Sequence, residues 1–166
     1  ISILFFFKDN FFYIFDRVVS WVGEAEVSYQ SEQALNAIIS GGFFGRGIGE
    51  GVLKESVPEA HTDYVMSVIA EEYGIIIVLF IISITMFLVI RIFAIANNSS
   101  NNFFKISLIG ISSLLALQSF INLGVTINIL PSTGMPFPFI SYGGSSIMGS
   151  SIALGLALLL SKDEQV

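Results

Sequence analysis

The sequence predicts an all-α, polytopic membrane protein, and its composition carries that prediction. Hydrophobic residues make up 54% of the 166 positions and charged residues only 12%, which is about half the charged share of a soluble domain. The hydrophobic residues concentrate in three runs, each long enough to cross roughly 30 Å of hydrocarbon as a helix. The chain has no cysteine and one histidine, which excludes disulfides, thiolate metal sites and multi-histidine metal sites.

The apolar segments are assigned in chain order. Residues 1–7 are too short to span a bilayer and lack the charged start and the cleavage site of a signal peptide. We interpret them as the tail of a fourth helix and expect the chain to be the C-terminal part of a longer protein. Full transmembrane helices are predicted at about residues 74–96, 104–130 and 139–160.

The basic residues next to the spans predict their orientation. Arg91 and Lys105 flank the polar connector at residues 97–102, and Lys162 follows the last span. Because lysine and arginine favour the cytoplasmic side of a membrane, the connector at residues 97–102 and the end of the last span are predicted to lie on that side. Three spans alternate in direction, so the other two connectors are predicted to share the outer face.

The outer face is predicted to carry the long segment 8–73 and the short connector 131–138. The long segment is acidic, since 11 of the 13 acidic residues lie between Asp9 and Glu72. A nucleic-acid partner requires a basic surface, so this class of partner is excluded.

Two shorter elements are expected within the long segment. Residues 29–39 place Ala34, Leu35 and Ile38 on one side, which predicts an amphipathic helix that lies on the membrane surface or packs back onto the bundle. Residues 41–49 contain too many glycines for a helix interior. They lack the Gly-Lys-Ser/Thr ending and the preceding strand of a phosphate-binding loop, so a hinge is favoured.

A cluster of acids lies where the long segment meets the first span. A helix beginning near Thr62 would place small and polar residues on one face. They are Asp63, Ser67, Ala70, Glu71 and Gly74. Acids near a helix start gain about 0.3–1 kcal/mol from the helix dipole, which explains one carboxylate but not Glu59, Asp63, Glu71 and Glu72 together. Ionisable groups at a bilayer edge are candidates for function, so the face borders either a water-filled cavity or a neighbouring helix.

A second candidate region lies between the last two spans. Residues 131–146 carry three prolines within eight positions, which forbids a continuous helix. Irregular backbone at membrane depth persists only where protein or a water-filled cavity covers it, and the glycines and serines that follow allow close helix approach. A tight corner without a ligand and a ligand site are equally compatible with this pattern. Gln118 and Asn122 are predicted to face the bundle interior and to form interhelical hydrogen bonds.

Three ordered motifs resemble those of the SEDS family, the shape, elongation, division and sporulation proteins. Pro-Glu-Ala-His-Thr-Asp at residues 58–63, followed by Ala-Glu-Glu-Tyr-Gly at residues 70–74, is similar to the family's P-E-x-H-T-D…E-E-x-G segment. Ser-Tyr-Gly-Gly-Ser-Ser at residues 141–146 is similar to its S-Y-G-G-S-S signature. Tyr29, Gln30 and Gln33 with the following Gly-Gly resemble its Y-Q-x-x-Q…S-G-G element. The His-Thr-Asp form is most similar to the division branch rather than to the elongation branch.

The resemblance implies a peptidoglycan glycosyltransferase that polymerises lipid II into septal glycan during bacterial cell division. It places the active site on the outer face of the cytoplasmic membrane. It also implies a class B penicillin-binding transpeptidase and other divisome proteins as partners. A fragment without the rest of the membrane domain is expected to be inactive alone.

By motif, Asp63 matches the family's essential aspartate and is expected to act as the general base. Glu55 matches an acid of the same loop at which substitutions alter activity in relatives. The expected substrate-binding residues are Glu55, Glu59, His61, Gln33, Glu71, Ser141, Tyr142, Gly143, Gly144 and Ser145.

One departure from the family leaves the binding of pyrophosphate open. Relatives often carry lysine where this chain has Thr133. The positive partner would then be Arg17, Arg46 or Lys54, a divalent cation, or the missing part of the protein, and no other cofactor is expected. Two further functions fit the residues: a flippase that moves lipid II across the membrane, since polar stripes and broken helices suit transporters, and a non-catalytic scaffold for the transpeptidase.

Overall fold

The computed structural model describes residues 29–56 and 60–163, which fold into six α-helices and contain no strand. The helices are α1 (Tyr29–Gly41), α2 (Leu53–Ser56), α3 (Val65–Tyr73), α4 (Ile75–Asn98), α5 (Asn102–Thr126) and α6 (Gly144–Asp163). The predicted all-α class is confirmed. Residues 1–7, predicted as the tail of a fourth helix, lie outside the described residues.

Three of these helices are long and apolar enough to cross a bilayer: Ile75–Asn98, Asn102–Thr126 and Gly144–Lys162. The 24 residues of α4 rise about 36 Å at 1.5 Å per residue. Large apolar side chains such as Phe80 and Phe120 are exposed along them, which suits contact with lipid acyl chains. The three predicted spans are confirmed.

The turn between α4 and α5 is shorter than predicted. It comprises residues 99–101, because the asparagines at positions 97, 98 and 102 belong to the adjoining helices. Asn101 caps α5, and its side-chain oxygen accepts a hydrogen bond from the backbone N–H of Phe103 at 2.9 Å, as asparagine commonly does at a helix start. Further along, α4, α5 and α6 share an apolar core of Ile92, Ala96, Leu108, Leu115 and Ala157.

The end of α5 differs from the predicted span, which extended to residue 130. The helix stops at Thr126 because the backbone N–H groups of Ile129 and Leu130 turn back to the carbonyl of Gly124, at 2.8 and 3.0 Å. Asn128 takes a φ of 58° in this turn, a left-handed conformation that asparagine tolerates better than most residues.

The start of α6 also differs from the predicted span, which began at residue 139. The chain forms a turn over residues 137–141, in which the hydroxyl of Ser141 accepts a hydrogen bond from the N–H of Phe137 at 2.7 Å. Phe139 has a φ of 65°, which interrupts helical geometry, and α6 starts only at Gly144. The irregular connection therefore runs from residue 127 to residue 143.

The amphipathic helix predicted at residues 29–39 is present as α1, and it packs back onto the bundle. Its small residues Ala34 and Ala37 are buried in a core with Tyr64, which precedes α3, and Val125 of α5. Ile38 joins a second core with residues of α3 and α4. The amphipathic pattern therefore buries one face of α1 against α3 and α5.

The end of α1 lies directly against the backbone of α3 at Gly41. A β-carbon at this position would come within 2.0 Å of the carbonyl oxygen of Ala70. Substitution Gly41→Ala is therefore expected to push α1 away from α3 and to destabilise the protein by about 1–3 kcal/mol, as overpacking does. Thermal unfolding measures the loss. The matched control is Gly155→Ala in α6, where a β-carbon meets no atom within 4 Å, and an equal loss in both variants would contradict the prediction.

The polar stripe predicted on one helix face is buried as expected. Asp63, Ser67, Ala70 and Glu71 are all buried. The helix itself begins at Val65 rather than near Thr62, because residues 60–64 form a turn. Gly74, with a φ of 83°, then separates α3 from α4.

Candidate functional site

The turn at residues 60–64 is bonded directly to the connection between α5 and α6. Four hydrogen bonds join the two segments, three of them directly and one through α5. Their donors are the backbone N–H of Gly134, the side-chain amide of Asn122, the hydroxyl of Ser141 and the backbone N–H of Tyr142. The sequence predicted that these two connectors share one face of the membrane, and the structure places them in contact.

Asp63 lies at the centre of this junction. Its carboxylate oxygen Oδ2 accepts a hydrogen bond from the N–H of Gly134 at 3.0 Å, and the residue is only 5% exposed. Gly134 takes a φ of 71°, a conformation that glycine adopts freely. Hydrogen bonds from a neutral donor to a charged acceptor contribute about 1.5–3 kcal/mol, so this contact fixes the carboxylate beside the proline-rich loop.

Asn122 holds the backbone on both sides of that carboxylate. Its fully buried side-chain amide donates to the carbonyl of Asp63 and to the carbonyl of Met135, both at 3.0 Å. The two carbonyls belong to segments far apart in the chain, and α5 carries the group that joins them. The inward orientation predicted for Asn122 is confirmed. Its bonds go to backbone carbonyls in the two connectors, whereas the prediction was a bond between helices.

Gln118, one turn earlier on α5, is placed differently. Its oxygen Oε1 is buried and has no hydrogen-bond partner among residues 29–56 and 60–163. The predicted interhelical hydrogen bond of this oxygen is therefore absent within the described part of the chain.

The Ser-Tyr-Gly-Gly-Ser-Ser motif contributes both a structural and an exposed portion. The hydroxyl of Ser141, fully buried, donates to the carbonyl of Thr62 at 2.8 Å, and the N–H of Tyr142 donates to the carbonyl of His61 at 2.9 Å. The side chain of Tyr142 itself is 80% exposed. Ser141 therefore anchors the turn, whereas the phenol is available at the surface.

Exposed residues surround the buried carboxylate. His61, Thr133 and Gly134 are exposed beside Asp63, so together with Tyr142 they form the accessible rim of the junction. The remaining predicted binding residues lie in several settings. Gly144 and Ser145 are exposed, Gly143 and Gln33 are half-buried, the side chain of Glu55 is not described and Glu59 lies outside the described residues.

Glu71 binds a different segment from Asp63. Its two carboxylate oxygens accept hydrogen bonds from the N–H groups of Val52 and Leu53, both at 3.0 Å. Arg46 Nη1 lies 3.7 Å from the same carboxylate. The side chain of Glu71 is almost fully buried, so it holds the start of α2 against α3.

Loss of this carboxylate is expected to release the start of α2. Glu71→Gln places an amide N–H₂ against one of two backbone N–H donors, and we expect a destabilisation of about 1.5–3 kcal/mol, the range for a hydrogen bond to a charged group. Limited proteolysis within residues 46–53, together with thermal unfolding, measures the effect. Glu50→Gln removes an exposed charge from the same loop and should leave both measurements unchanged. Equal protease resistance of Glu71→Gln and the wild type would contradict the role.

The positive charges predicted near the site are only partly described. The side chain of Arg46 is 45% exposed while it lies beside Glu71, so this ion pair is weakened by solvent and the guanidinium remains reachable. The side chain of Lys54 is not described, and Arg17 lies outside the described residues. In the described part of the chain, no group of three or more His, Asp or Glu side chains is placed to hold a metal ion.

Sequence reasoning missed two parts of the site. The donor from Gly134 to Asp63 was not predicted, since a backbone N–H leaves no signature in the residue type. The proline-rich stretch with its Thr-Gly step was the available signal, because glycine after such a stretch marks a turn. The hydrogen bonds of Glu71 to residues 52 and 53 were also missed, since the pattern only showed that this carboxylate faced inward.

The chain is similar in sequence to known proteins over most of its length. A model of the FtsW/RodA/SpoVE family, described as cell cycle protein, matches residues 2–166. The chain is 44% identical over 133 residues to a protein of Caulobacter vibrioides (strain NA1000 / CB15N) named probable peptidoglycan glycosyltransferase FtsW, with 80% of this chain and 34% of that protein covered. It is 53% identical over 113 residues to the protein of the same name from Bacillus subtilis (strain 168), with 68% and 28% covered. The chain thus spans about a third of the length of these relatives.

Two solved structures share the fold. One, described as structural coordination of polymerization and crosslinking by a peptidoglycan synthase complex, is 30% identical with a TM-score of 0.70 over 90% of this chain and 41% of that chain. The other, an aspartate-to-alanine mutant of the rod shape determining protein RodA from Thermus thermophilus, is 37% identical with a TM-score of 0.60 over 64% and 36%. The resemblance to the SEDS family, and within it to FtsW, is confirmed: the chain is a multi-pass membrane protein of the FtsW/RodA/SpoVE family.

Proposed function

We propose that the longer protein containing this chain is a peptidoglycan glycosyltransferase that polymerises lipid II during bacterial cell division, with Asp63 as its general base. The observation that carries the proposal is the placement of Asp63, whose nearly buried carboxylate is fixed by the Gly134 N–H beside an exposed rim. The names of the FtsW relatives, which specify a peptidoglycan glycosyltransferase, support the same reaction.

The reaction is a single displacement at the anomeric carbon of the donor sugar. The 4-hydroxyl oxygen of the acceptor sugar forms the new bond while the bond from the anomeric carbon to the undecaprenyl pyrophosphate breaks. The Asp63 carboxylate takes the hydroxyl proton, and the pyrophosphate leaves as an anion. One displacement inverts the anomeric configuration, and a positioned base of this kind contributes about 10²–10⁴-fold to the rate.

The leaving pyrophosphate requires positive partners, because its negative charge grows as the bond breaks. Of the three predicted cations, Arg46 is the one whose side chain the structure describes, and its partial exposure supports this role. Arg17, Lys54, a divalent cation or the rest of the longer protein would supply further charge. His61 and Tyr142, exposed on the rim, are proposed to contact the sugars, with Gln33, Glu55, Glu59, Gly143, Gly144 and Ser145 lining the same substrate cavity.

The site is proposed to face outward at the division septum of the cytoplasmic membrane. The basic residues Arg91, Lys105 and Lys162 lie at the opposite ends of the spans from Asp63, which supports an outward-facing site because lysine and arginine favour the cytoplasmic side. A class B penicillin-binding transpeptidase and other divisome proteins are the proposed partners. The similarity to a peptidoglycan synthase complex that couples polymerization to crosslinking supports the first of these.

Purified full-length protein, incubated with labelled lipid II in detergent, tests the proposal. Because detergent provides no second compartment, a polymerase makes glycan chains there, whereas a flippase or a scaffold makes none. Glycan is expected on a gel after incubation. Its absence, in a preparation that still binds lipid II and its transpeptidase, would contradict the glycosyltransferase function.

A further inference from the structure

The loop between α1 and α2 exposes large apolar side chains that belong neither to the apolar cores described above nor to the proposed reaction. Phe43 is 72%, Phe44 85% and Ile48 77% exposed, and Ile39 and Val52 at the two ends of this loop are also exposed. Large apolar side chains exposed this close together on one loop indicate an interaction surface. The tip, defined as Phe43, Phe44 and Ile48, therefore needs an occupant.

The backbone of the loop is rigidly tied to the place where α3 becomes α4. The N–H of Ile75, the first residue of α4, donates to the carbonyl of Gly42 at 3.0 Å. The N–H groups of Arg46 and Gly47 donate to the carbonyls of Glu71 and Glu72 at 2.8 and 3.1 Å. These bonds hold the loop predicted as a hinge along the end of α3.

Close packing at two glycines also holds the loop against the end of α3. A β-carbon on Gly74 would lie 2.2 Å from the carbonyl oxygen of Phe43, and one on Gly45 would lie 2.2 Å from the carbonyl oxygen of Glu72. The absence of side chains on both glycines lets the two backbones touch. The tip consequently sits beside the first turn of the first membrane span.

That first turn marks the point where the chain enters hydrocarbon. From Ile75 onward the helix is apolar without interruption for eight residues, and Ile76, Leu79 and Phe80 are exposed on its surface. The exposed tip thus lies next to the exposed apolar surface of α4, at the point where the apolar run of this span begins. Phenylalanine and isoleucine at that depth partition into the boundary between headgroups and acyl chains.

We propose that Phe43, Phe44 and Ile48 insert into the lipid leaflet next to the start of α4. Inserted there, the loop is a membrane-surface anchor, and through Glu71 and the end of α3 it fixes the helix that follows the Asp63 turn. The occupant is a lipid surface and not a second protein, because the tip lies beside the exposed apolar surface of a membrane span. The inference stands apart from the proposed glycosyltransferase function.

Spin labels placed on the full-length protein in nanodiscs test the anchor. This chain contains no cysteine, so single labels are introduced by Phe44→Cys and by Ile48→Cys after removal of any cysteine elsewhere in the protein. The measurement is the ratio of label relaxation by oxygen, which concentrates in lipid, to relaxation by a water-soluble nickel complex. Phe80→Cys on α4 provides the lipid-facing reference, and Glu32→Cys on the exposed side of α1 provides the aqueous reference.

Both tip positions are expected to give a ratio close to that of Phe80→Cys and several-fold above that of Glu32→Cys. A ratio close to the aqueous reference would overturn the proposal, because the tip would then lie in water. Low accessibility to both reagents would also overturn it, because the tip would then be covered by another part of the protein. None of these accessibility measurements depends on polymerisation, so they test membrane insertion of the tip independently of the glycosyltransferase activity.

Discussion

Asp63→Asn in the full-length protein is expected to lower polymerisation of lipid II by about 10²–10⁴-fold, the contribution of a positioned general base. Asparagine has nearly the same shape as aspartate, and its carbonyl oxygen can still accept the hydrogen bond from Gly134 that the structure shows at 3.0 Å. What the variant loses is the ability to take a proton at the working pH. The measurement is the initial rate of glycan formation from labelled lipid II.

The control for this prediction separates chemistry from folding and from charge. Glu32→Gln removes one exposed negative charge from the first turn of α1 and should polymerise at the wild-type rate. The thermal unfolding temperature of Asp63→Asn should stay close to that of the wild type, since the turn keeps its hydrogen bond to Gly134. A wild-type polymerisation rate in a folded Asp63→Asn protein would end the assignment of Asp63 as base.

The fold was predictable from sequence wherever length and hydrophobicity decide the outcome. A long, predominantly apolar run satisfies its own backbone hydrogen bonds in lipid as a helix, so α4, α5 and α6 follow from the length and hydrophobicity of their sequences. Their ends were less predictable, because single residues determine them. Helix α5 ends just before Asn128, and α6 begins only after Phe139. Both of these residues have a positive φ. The apolar side chains that continue past Thr126 gave no sign of this.

The sequence indicated which residues form the candidate site, but it did not indicate which hydrogen bonds they make. The acidic face at Asp63 and Glu71 and the proline-broken connector were visible as patterns that packing does not require. Their separate roles were not, because a pattern cannot show which partner a buried carboxylate finds. Asp63 meets a backbone N–H of the proline-rich loop, whereas Glu71 meets two N–H groups at the start of α2. All three donors are main-chain groups.

Asn122 links the two segments of the candidate site, because its side-chain amide donates hydrogen bonds from α5 to both of them. The amide joins the carbonyls of Asp63 and Met135, each at 3.0 Å, and so sets the distance between the base and the loop that covers it. Its own oxygen Oδ1 is buried without a hydrogen-bond partner in the described part of the chain, a cost of about 1–3 kcal/mol. A buried amide kept at that cost, with both of its bonds aimed at the site, is a positioning residue for Asp63.

Asn122→Ala is therefore expected to lower polymerisation by about 10²-fold, the typical effect of misplacing a reacting group by about 1 Å. Asn122→Leu has a similar side-chain volume and no donor, so a packing role predicts a normal rate for it, whereas the positioning role predicts the same loss as alanine. Gln118→Ala, one turn away, removes a polar side chain that makes no hydrogen bond to the described residues of the site, and it is expected to keep the rate.

The double variant Asn122→Ala with Asp63→Asn should be no slower than Asp63→Asn alone, because both changes act on one group. Additive losses in the double variant, or a normal rate in Asn122→Leu, would show that Asn122 acts independently of the base.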